Sequence, residues 1–356
     1  MRGLLLAGGH GTRLRPLTFT GNKHMIPIAN KPMLYYGLEH LVSAGIKDIA
    51  IILGPIREGI KERIGDGSKF GARVEYIEQP EPRGLADTVL ISEKFMGNEP
   101  FVMYLGDSLI KEGLIPLIRT FYNNNSDCVV YVSVVSDPNR YGIVELDSNG
   151  NALRFIEKPK EPKSNFAIAG VYLFNSHIFE AVKSIKPSWR NELEITDAIQ
   201  YLVEKNRKIN VHMIRDWWKD TGKPEDLLEA NQLVLQDIQP ALRTPIDPTC
   251  SIMGKVAVDE GTTIGPGSRL KGPIIIGRNC KIGPNVYVGP YTSIGDNTSI
   301  VSGEIEGSIV MDSVFIDSEQ RIVDSIIARN SRIESAHNTL PSGLKLVIEE
   351  NSVCKI

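Results

Sequence analysis

The chain has 356 residues, a formal net charge of −3, 42% hydrophobic and 23% charged residues, which suits a two-domain globular protein and gives no electrostatic case for nucleic acid or an anionic membrane. No apolar stretch nears the roughly 18 residues of a spanning helix, and the apolar run Leu4–Ala7 is too short for the core of a signal peptide. Cys128, Cys250, Cys280 and Cys354 lie far apart with no CxxC spacing, so neither a zinc cluster nor a disulfide framework is expected, and a cytoplasmic protein is.

RGLLLA reads as a buried strand that ends abruptly in Gly8, Gly9 and Gly11. KPMLYYGLEHLVSAG reads as a helix, with Pro32 near its start, apolar residues at 34, 38, 41 and 42, and Gly45 as its stop. IKDIAIILG then reads as a strand, IREGIKERIG as a helix, VEYIEQ as a strand, GLADTVLISEKF as a helix and FVMYLGD as another strand. Strands separated by helices of this length predict βαβ units and a mainly parallel sheet. The first domain is expected over 1–236, with QDIQPALRTPIDPT and its prolines marking a linker over 237–250.

Beyond the linker the period changes. Ile252, Val258, Ile264, Leu270, Ile276, Ile282, Val288, Ile294 and Ile300 are aliphatics spaced six apart, with glycine following at 265, 277, 283, 289 and 295. Six is neither a helical period nor a simple alternation; it is the hexapeptide repeat of a left-handed parallel β-helix, expected over 251–336 with a tail over 337–356. The period breaks after Ile300, resumes at Val310, Ile316 and Ile322, and slips again toward Ile327 and Ile333.

A Gly-rich turn at the carboxyl end of a parallel strand exposes backbone N–H groups toward the crevice where open α/β sheets bind ligands, so Gly8, Gly9 and Gly11 suit phosphate. Their spacing matches neither the dinucleotide fingerprint nor a Walker loop. Arg13, Arg15 and Lys23 follow with the charges phosphate needs. Taken singly the residues stay ambiguous. GGHGT is equally a tight turn, Arg15 and Lys31 read as surface charges, Asp220 as a turn or cap residue, and Tyr172 and Trp218 as core.

Together, LAGGHGTRLRPLT, Lys23 and P-I-x-x-K-P-M resemble the signature of sugar-1-phosphate nucleotidylyltransferases. EQPEPRGLADTV, YLGDS, FIEKPKEPKSN, RNELEITDAI and WWKDTGKPEDL continue that resemblance in the family's order over essentially the whole chain. Within the family it points to the branch that joins dTTP to glucose 1-phosphate, releasing pyrophosphate, and that carries a hexapeptide tail. The resemblance implies a Rossmann-like nucleotidyltransferase domain ahead of the β-helix. Its reaction needs no covalent nucleophile, only two aligned anions and charge neutralisation, with Mg2+ as the usual device.

Carried over by position, the resemblance implies that Arg13 grips the departing phosphates, Lys23 the α-phosphate and Lys158 the sugar phosphate. Leu6, Gly8, Gly9, Gly11 and Thr12 would cradle the nucleotide, and Gln79 and Gly84 would read the pyrimidine edge. Tyr141, Gly142, Glu157, Ile168, Tyr172, Arg190 and Trp218 would line the sugar pocket, and Asp107 with Asp220 would hold the metal. Ser108 stands where the family often has Asn, and His24 where Gln is common; tuning rather than loss is expected from both.

Three rival readings remain: a UTP-using or relaxed pyrimidine enzyme, a non-catalytic regulatory subunit, and a bifunctional acyltransferase. The regulatory reading fits poorly with Arg13, Lys23, Asp107, Lys158 and Asp220 all being present. For an acyltransferase base the chain past residue 212 offers only His337. The repeat domain is therefore expected to serve self-association into a homo-oligomer.

Overall fold

The computed structural model describes residues 1–19, 21–57 and 59–335. By contacts the chain divides into two compact units, one of residues 1–12, 21–26 and 32–221, the other of 13–19, 27–31 and the described residues from 222 on. The tail over 337–356, with His337 and Cys354, lies outside the described residues.

The first unit is built on β1 (Arg2–Ala7), α1 (Met33–Ser43), β2 (Asp48–Leu53), α2 (Ile60–Ile64), β3 (Arg73–Glu78), α3 (Leu85–Met96) and β4 (Phe101–Leu105). Leu4 and Leu6 of β1 pack into one apolar cluster and Leu5 and Ala7 into another, on opposite faces of the sheet. That is why the strand reads as an unbroken apolar run: both faces are covered. α2 is shorter than IREGIKERIG suggested, because Gly59 (φ 78°) and Gly65 (φ 66°) bracket it in positive-φ backbone that favours glycine.

β1 pairs in parallel with β2 and β4, with Leu6 level with both Ile52 and Leu105. Their carboxyl ends are thus aligned, and each runs into a glycine: Gly8, Gly54 and Gly106. A Cβ on Gly54 would stand 3.0 Å from Gly8 Cα, and one on Gly106 2.5 Å from the Leu6 carbonyl oxygen. The strand ends approach backbone to backbone, and only glycine permits it.

The sheet is mixed rather than mainly parallel. After β5 (Ser108–Ile110), α4 (Ile115–Asn123), β6 (Cys128–Val134), β7 (Gly142–Leu146) and β8 (Ala152–Glu157), the strand β9 (Phe166–Phe174) inserts antiparallel between β4 and β6 and also meets β7. The full order is β8-β7-β9-β4-β1-β2-β3, with β6 on β9 and β10 (Ile209–Met213) parallel to β6. β9 reads FAIAGVYLF and is buried on both faces, so its apolar run carries no sign of its direction. Its pairing shifts register between Ile168 and Tyr172, where Gly170 adopts φ 73°. Helices α5 (His177–Ser184) and α6 (Ile195–Glu204) cover it, and β11 (Trp218–Asp220) pairs antiparallel with β5.

The second unit holds α7 (Pro224–Leu235) and a ladder of short parallel strands from Ser251 to Glu334. Ile252 pairs with Leu270, Val258 with Ile276 and Ile264 with Ile282, each 18 residues on, and these aliphatics form one interior core. The arrangement is compatible with a β-helix of three strands per rung. Later rungs are shorter: Val288 pairs with Ile305 and Ile294 with Val310. A rung that loses a residue or two is what breaks the period of six after Ile300. The prolines of 237–250 do not make a wholly free linker, since Ala241 and Leu242 pair with Ala257 and Val258 and extend the ladder by one short strand.

Candidate active site

At the carboxyl edge of β1, Asn22 is the organising residue. Its side-chain Nδ2 donates to the Ala7 and Ile56 carbonyls, and its Oδ1 accepts the His24 N–H at 2.8 Å, capping a short 3-10 helix over Lys23–Met25. The chain is thereby pinned against the end of β1, and Lys23 is aimed at the end of β4, where its Nζ pairs with the Asp107 carboxylate. Burial would raise the Asp107 carboxyl, but the adjoining Lys23 charge and hydrogen bond outweigh it and keep Asp107 ionised. His24 is fully enclosed; burial and the Lys23 charge lower it to about 3, so it is a neutral packing residue, with Nδ1 2.8 Å from Asn22 Oδ1.

Asp107 also fixes Asp220. β11 lies beside β5 with Asp220 opposite Ser108, and Thr221 donates both N–H (3.2 Å) and Oγ1 (2.7 Å) to the Asp107 carbonyl. Two hard carboxylate donors thus sit on adjacent strand ends, a donor set that suits a divalent cation shared with phosphate oxygens. Among the described residues no group of three or more His, Cys, Asp or Glu is placed to hold a metal.

Leu6, Gly8, Gly9, Lys23, Gln79, Gly84 and Asp107 line one cleft of about 250 Å3, together with Glu192 and Thr88. Gly9 has φ 96° and Gly11 φ 59°, so the turn needs glycine there. Gln79 Nε2 donates to Asp87 Oδ2 at 2.8 Å, which locks the amide's orientation. Gly84 has φ 106°, and a Cβ there would stand 2.4 Å from the Leu193 carbonyl oxygen. Leu193 in turn bonds Arg83 and Ala86 through the backbone, zipping the two loops together.

Gly11 and Thr12 are not among the cleft's lining residues. Arg13 belongs by contacts to the second unit, where its guanidinium lies 3.1 Å from where a Cβ on Gly222 would stand.

The residues expected around a sugar gather in a second cluster. A Cβ on Gly142 would meet Glu157 Oε2 at 3.0 Å and Ile168 Cδ1 at 3.4 Å. Glu157 Oε1 accepts from Arg190 at 3.3 Å with Lys158 Nζ at 3.5 Å, and burial pushes the Glu157 carboxyl up despite both cations. Lys158 takes φ 40° directly before Pro159, a conformation the following proline disfavours and one held by its N–H bond to the Tyr141 carbonyl at 3.0 Å. Trp218 meets Tyr141 edge-on at 5.3 Å and donates Nε1 to Ser108 Oγ at 2.7 Å, while Ser108 Oγ donates to the Ala169 carbonyl at 2.6 Å. Tyr172 is not brought to a surface: it is 3% exposed and stacks on Phe174 in the core.

Sequence reasoning missed Asn22, Gly54, Thr221 and the Ser108–Trp218 link. Only Asn22 carried a usable signal, as an Asn directly ahead of a Lys-led turn. The other three depend on which strand ends meet.

Comparison with known proteins identifies the family. The nucleotidyl transferase family matches residues 2–237, and the GMPPB C-terminal domain matches residues 270–340. The chain is 44% identical over its whole length, and that of the relative, to the low-salt glycan biosynthesis nucleotidyltransferase Agl11 of Haloferax volcanii. It is 43% identical to the glucose-1-phosphate thymidylyltransferase of Streptomyces antibioticus, covering all of this chain and 99% of that one. Among solved structures, a Bacillus anthracis protein described as a glucose-1-phosphate thymidylyltransferase superposes with a TM-score of 0.63 at 36% identity, covering 68% of this chain and 98% of that chain. A UDP-glucose pyrophosphorylase complexed with UDP-glucose superposes with a TM-score of 0.60 at 26% identity, covering 67% and 99%. With a nucleoside triphosphate and a sugar 1-phosphate as its substrate classes, the chain is a nucleotidyltransferase and belongs to the nucleotidyl transferase family.

Proposed function

We propose that the protein transfers the thymidylyl group of dTTP to glucose 1-phosphate, giving dTDP-glucose and pyrophosphate. The observation that carries this reading is the cleft in which Gln79 and Gly84 face Lys23 and Asp107: a base-reading edge and a phosphate-handling pair in one space. A phosphate oxygen of the sugar 1-phosphate attacks the α-phosphorus, and the bond from that phosphorus to the β-phosphate bridging oxygen breaks. Lys23 neutralises the α-phosphate, Arg13 the departing pyrophosphate and Lys158 the sugar phosphate. The glycines of the β1 turn, with Thr12, present backbone N–H groups to the nucleotide, and Leu6 bounds its base side.

Glu157 accepts from the sugar hydroxyls, with Tyr141, Gly142, Ile168, Arg190 and Trp218 shaping the pocket and Tyr172 backing it from the core. Asp107 and Asp220 would hold Mg2+, which when bound neutralises charge across the triphosphate. Lys23, now paired with Asp107, would then turn to the phosphate. We assign domains at 1–236 and 251–336, the latter as a left-handed β-helix, and a cytoplasmic setting where nucleoside triphosphates are available.

Pyrophosphate release with glucose 1-phosphate tests the reading, comparing dTTP, UTP, CTP, ATP and GTP with Mg2+ present or chelated. Release fastest with dTTP and abolished by chelation is expected. The likeness to a UDP-glucose pyrophosphorylase supports a relaxed pyrimidine enzyme as the second reading, since the ribose 2′-OH and one base methyl separate the two nucleotides and contact with the methyl discriminates by only about 1–3 kcal/mol; equal rates with UTP would favour it. A purine preference would overturn both.

A further inference from the structure

The parallel ladder of the second unit has one exposed face whose side chains follow an order that needs explaining. Its rungs are Ser251–Met253, Arg269–Lys271, Tyr287–Gly289, Glu304–Glu306 and Arg321–Val323, with the aliphatic between each pair pointing inward. Two outward columns result. One reads Ser251, Arg269, Tyr287, Glu304, Arg321 and the other Met253, Lys271, Gly289, Glu306, Val323. By contrast, the face holding Ser293 is engaged by α7, whose Asn231 meets Ser293 Oγ at 3.1 Å and the Tyr291 carbonyl at 3.1 Å.

We infer that this face pairs with the same face of a second copy of the chain, the two ladders running antiparallel about a two-fold axis at the Tyr287 rung. Such an axis lies in the interface along the strand direction, so each column faces itself with its rung order reversed. Arg269 then faces the partner's Glu304, and Lys271 faces the partner's Glu306. Met253, 59% exposed, faces the partner's Val323, and Val323, 48% exposed, faces the partner's Met253. Tyr287 meets its own copy, with the Glu306 side chain lying over Gly289 beside it.

A parallel pairing, about an axis along the ladder, would exchange the two columns and set Arg269 against the partner's Lys271 and Glu304 against the partner's Glu306. One order of rungs is therefore complementary under a two-fold and the other is repulsive.

The charges fit this use within the single chain. Arg269 and Lys271 have no acidic partner among the described residues, and Arg269 rests 5.7 Å from the Tyr287 ring centroid. Arg321 pairs with Glu306 at 2.5 Å and with Glu304 at 3.8 Å and stands 5.8 Å from the same ring, so one cation serves two carboxylates and leaves acceptor capacity facing outward. At about 4.8 Å per rung the five rungs are about 19 Å tall, a smaller patch than the roughly 800 Å2 per partner of a standard interface. The pairing is accordingly salt-sensitive.

This inference gives a surface to the self-association expected from the sequence and rests on that expectation; it is independent of the reaction. Sedimentation of the full chain from about 1 to 200 μM in low salt should show a monomer–dimer equilibrium that weakens at least tenfold in 0.5 M salt. The double variant R269E/K271E and the double variant E304R/E306R should each be monomeric, and an equimolar mixture of the two should dimerise. Circular dichroism and thermal melting of each variant check the fold. Tyr287→Cys, placed on the axis, should cross-link to itself under mild oxidation well beyond the wild-type chain, which keeps the test open if a charge variant does not fold.

A wild-type chain that stays monomeric at 200 μM overturns both the expectation and the surface. A dimer that survives R269E/K271E, a mixture of folded variants that stays monomeric, or a Tyr287→Cys chain that does not cross-link overturns the surface alone.

Discussion

Asp107 is held by two neighbours with different roles: Lys23 on its carboxylate and Thr221 on its carbonyl. The first balances the carboxylate's charge, while the second ties the strand that carries Asp220. Asp107→Ala and Asp220→Ala should each lower kcat at least a hundredfold with the thermal midpoint nearly unchanged; near-normal turnover in either purified variant would remove that residue from the metal site. Gly84 makes a different demand. Its φ of 106° and the 2.4 Å approach of the Leu193 carbonyl to a would-be Cβ mean that Gly84→Ala must separate two zipped loops. The expected cost is about 1–3 kcal/mol of stability with a raised KM for the nucleotide, measured by urea titration and steady-state kinetics; an unchanged KM would contradict the placement of this turn beside the base.

At the scale of elements, the amino end of α5 is latched to β6 through one carboxylate. Asp127 Oδ1 lies 2.7 Å from His177 Nδ1 and accepts from Asn175 Nδ2 at 2.8 Å, while Oδ2 accepts the Lys208 N–H at 2.8 Å. Partial burial raises the Asp127 carboxyl, but the Lys208, Asn175 and His177 hydrogen bonds outweigh it and leave it below its ordinary value. A carboxyl whose folded pKa lies under its unfolded value of about 3.9 adds stability above that pH, and the gain is lost as pH falls through the folded pKa. Asp127→Asn should therefore flatten the fall in urea midpoint between about pH 5 and pH 3. A variant with the wild-type slope would show that the latch does not titrate. The same scale explains what was readable in advance. β1, α1, α3 and the ladder announced themselves because their periods are set locally, by burial on two faces, on one stripe, or once in six residues. The direction of β9 did not, because FAIAGVYLF buried on both faces looks alike either way round, and α2 shrank because flanking glycines set its ends.

For the whole molecule, the change of period marked the ladder of short parallel strands in advance, whereas the assignment of residues 13–19, 27–31 and 222–235 to the second unit by contacts was not legible from the linker at 237–250. What was not legible was how the ends of β1, β2 and β4 meet. The glycine after each strand, the cap by Asn22 and the Ser108–Trp218 bond become meaningful only once three strand ends are level. Tyr172 shows the converse: a residue carried over by position as pocket lining is core in this fold. The central claim is direct attack by the sugar phosphate on the nucleotide, and the fate of that phosphate's oxygens tests it most directly. Glucose 1-phosphate carrying 18O in its phosphate would be incubated with dTTP and Mg2+, and the products analysed by mass spectrometry. The account predicts dTDP-glucose that retains all of the label and pyrophosphate that has none. Label in the pyrophosphate, or thymidine nucleotide hydrolysis without a nucleotide sugar, would contradict it.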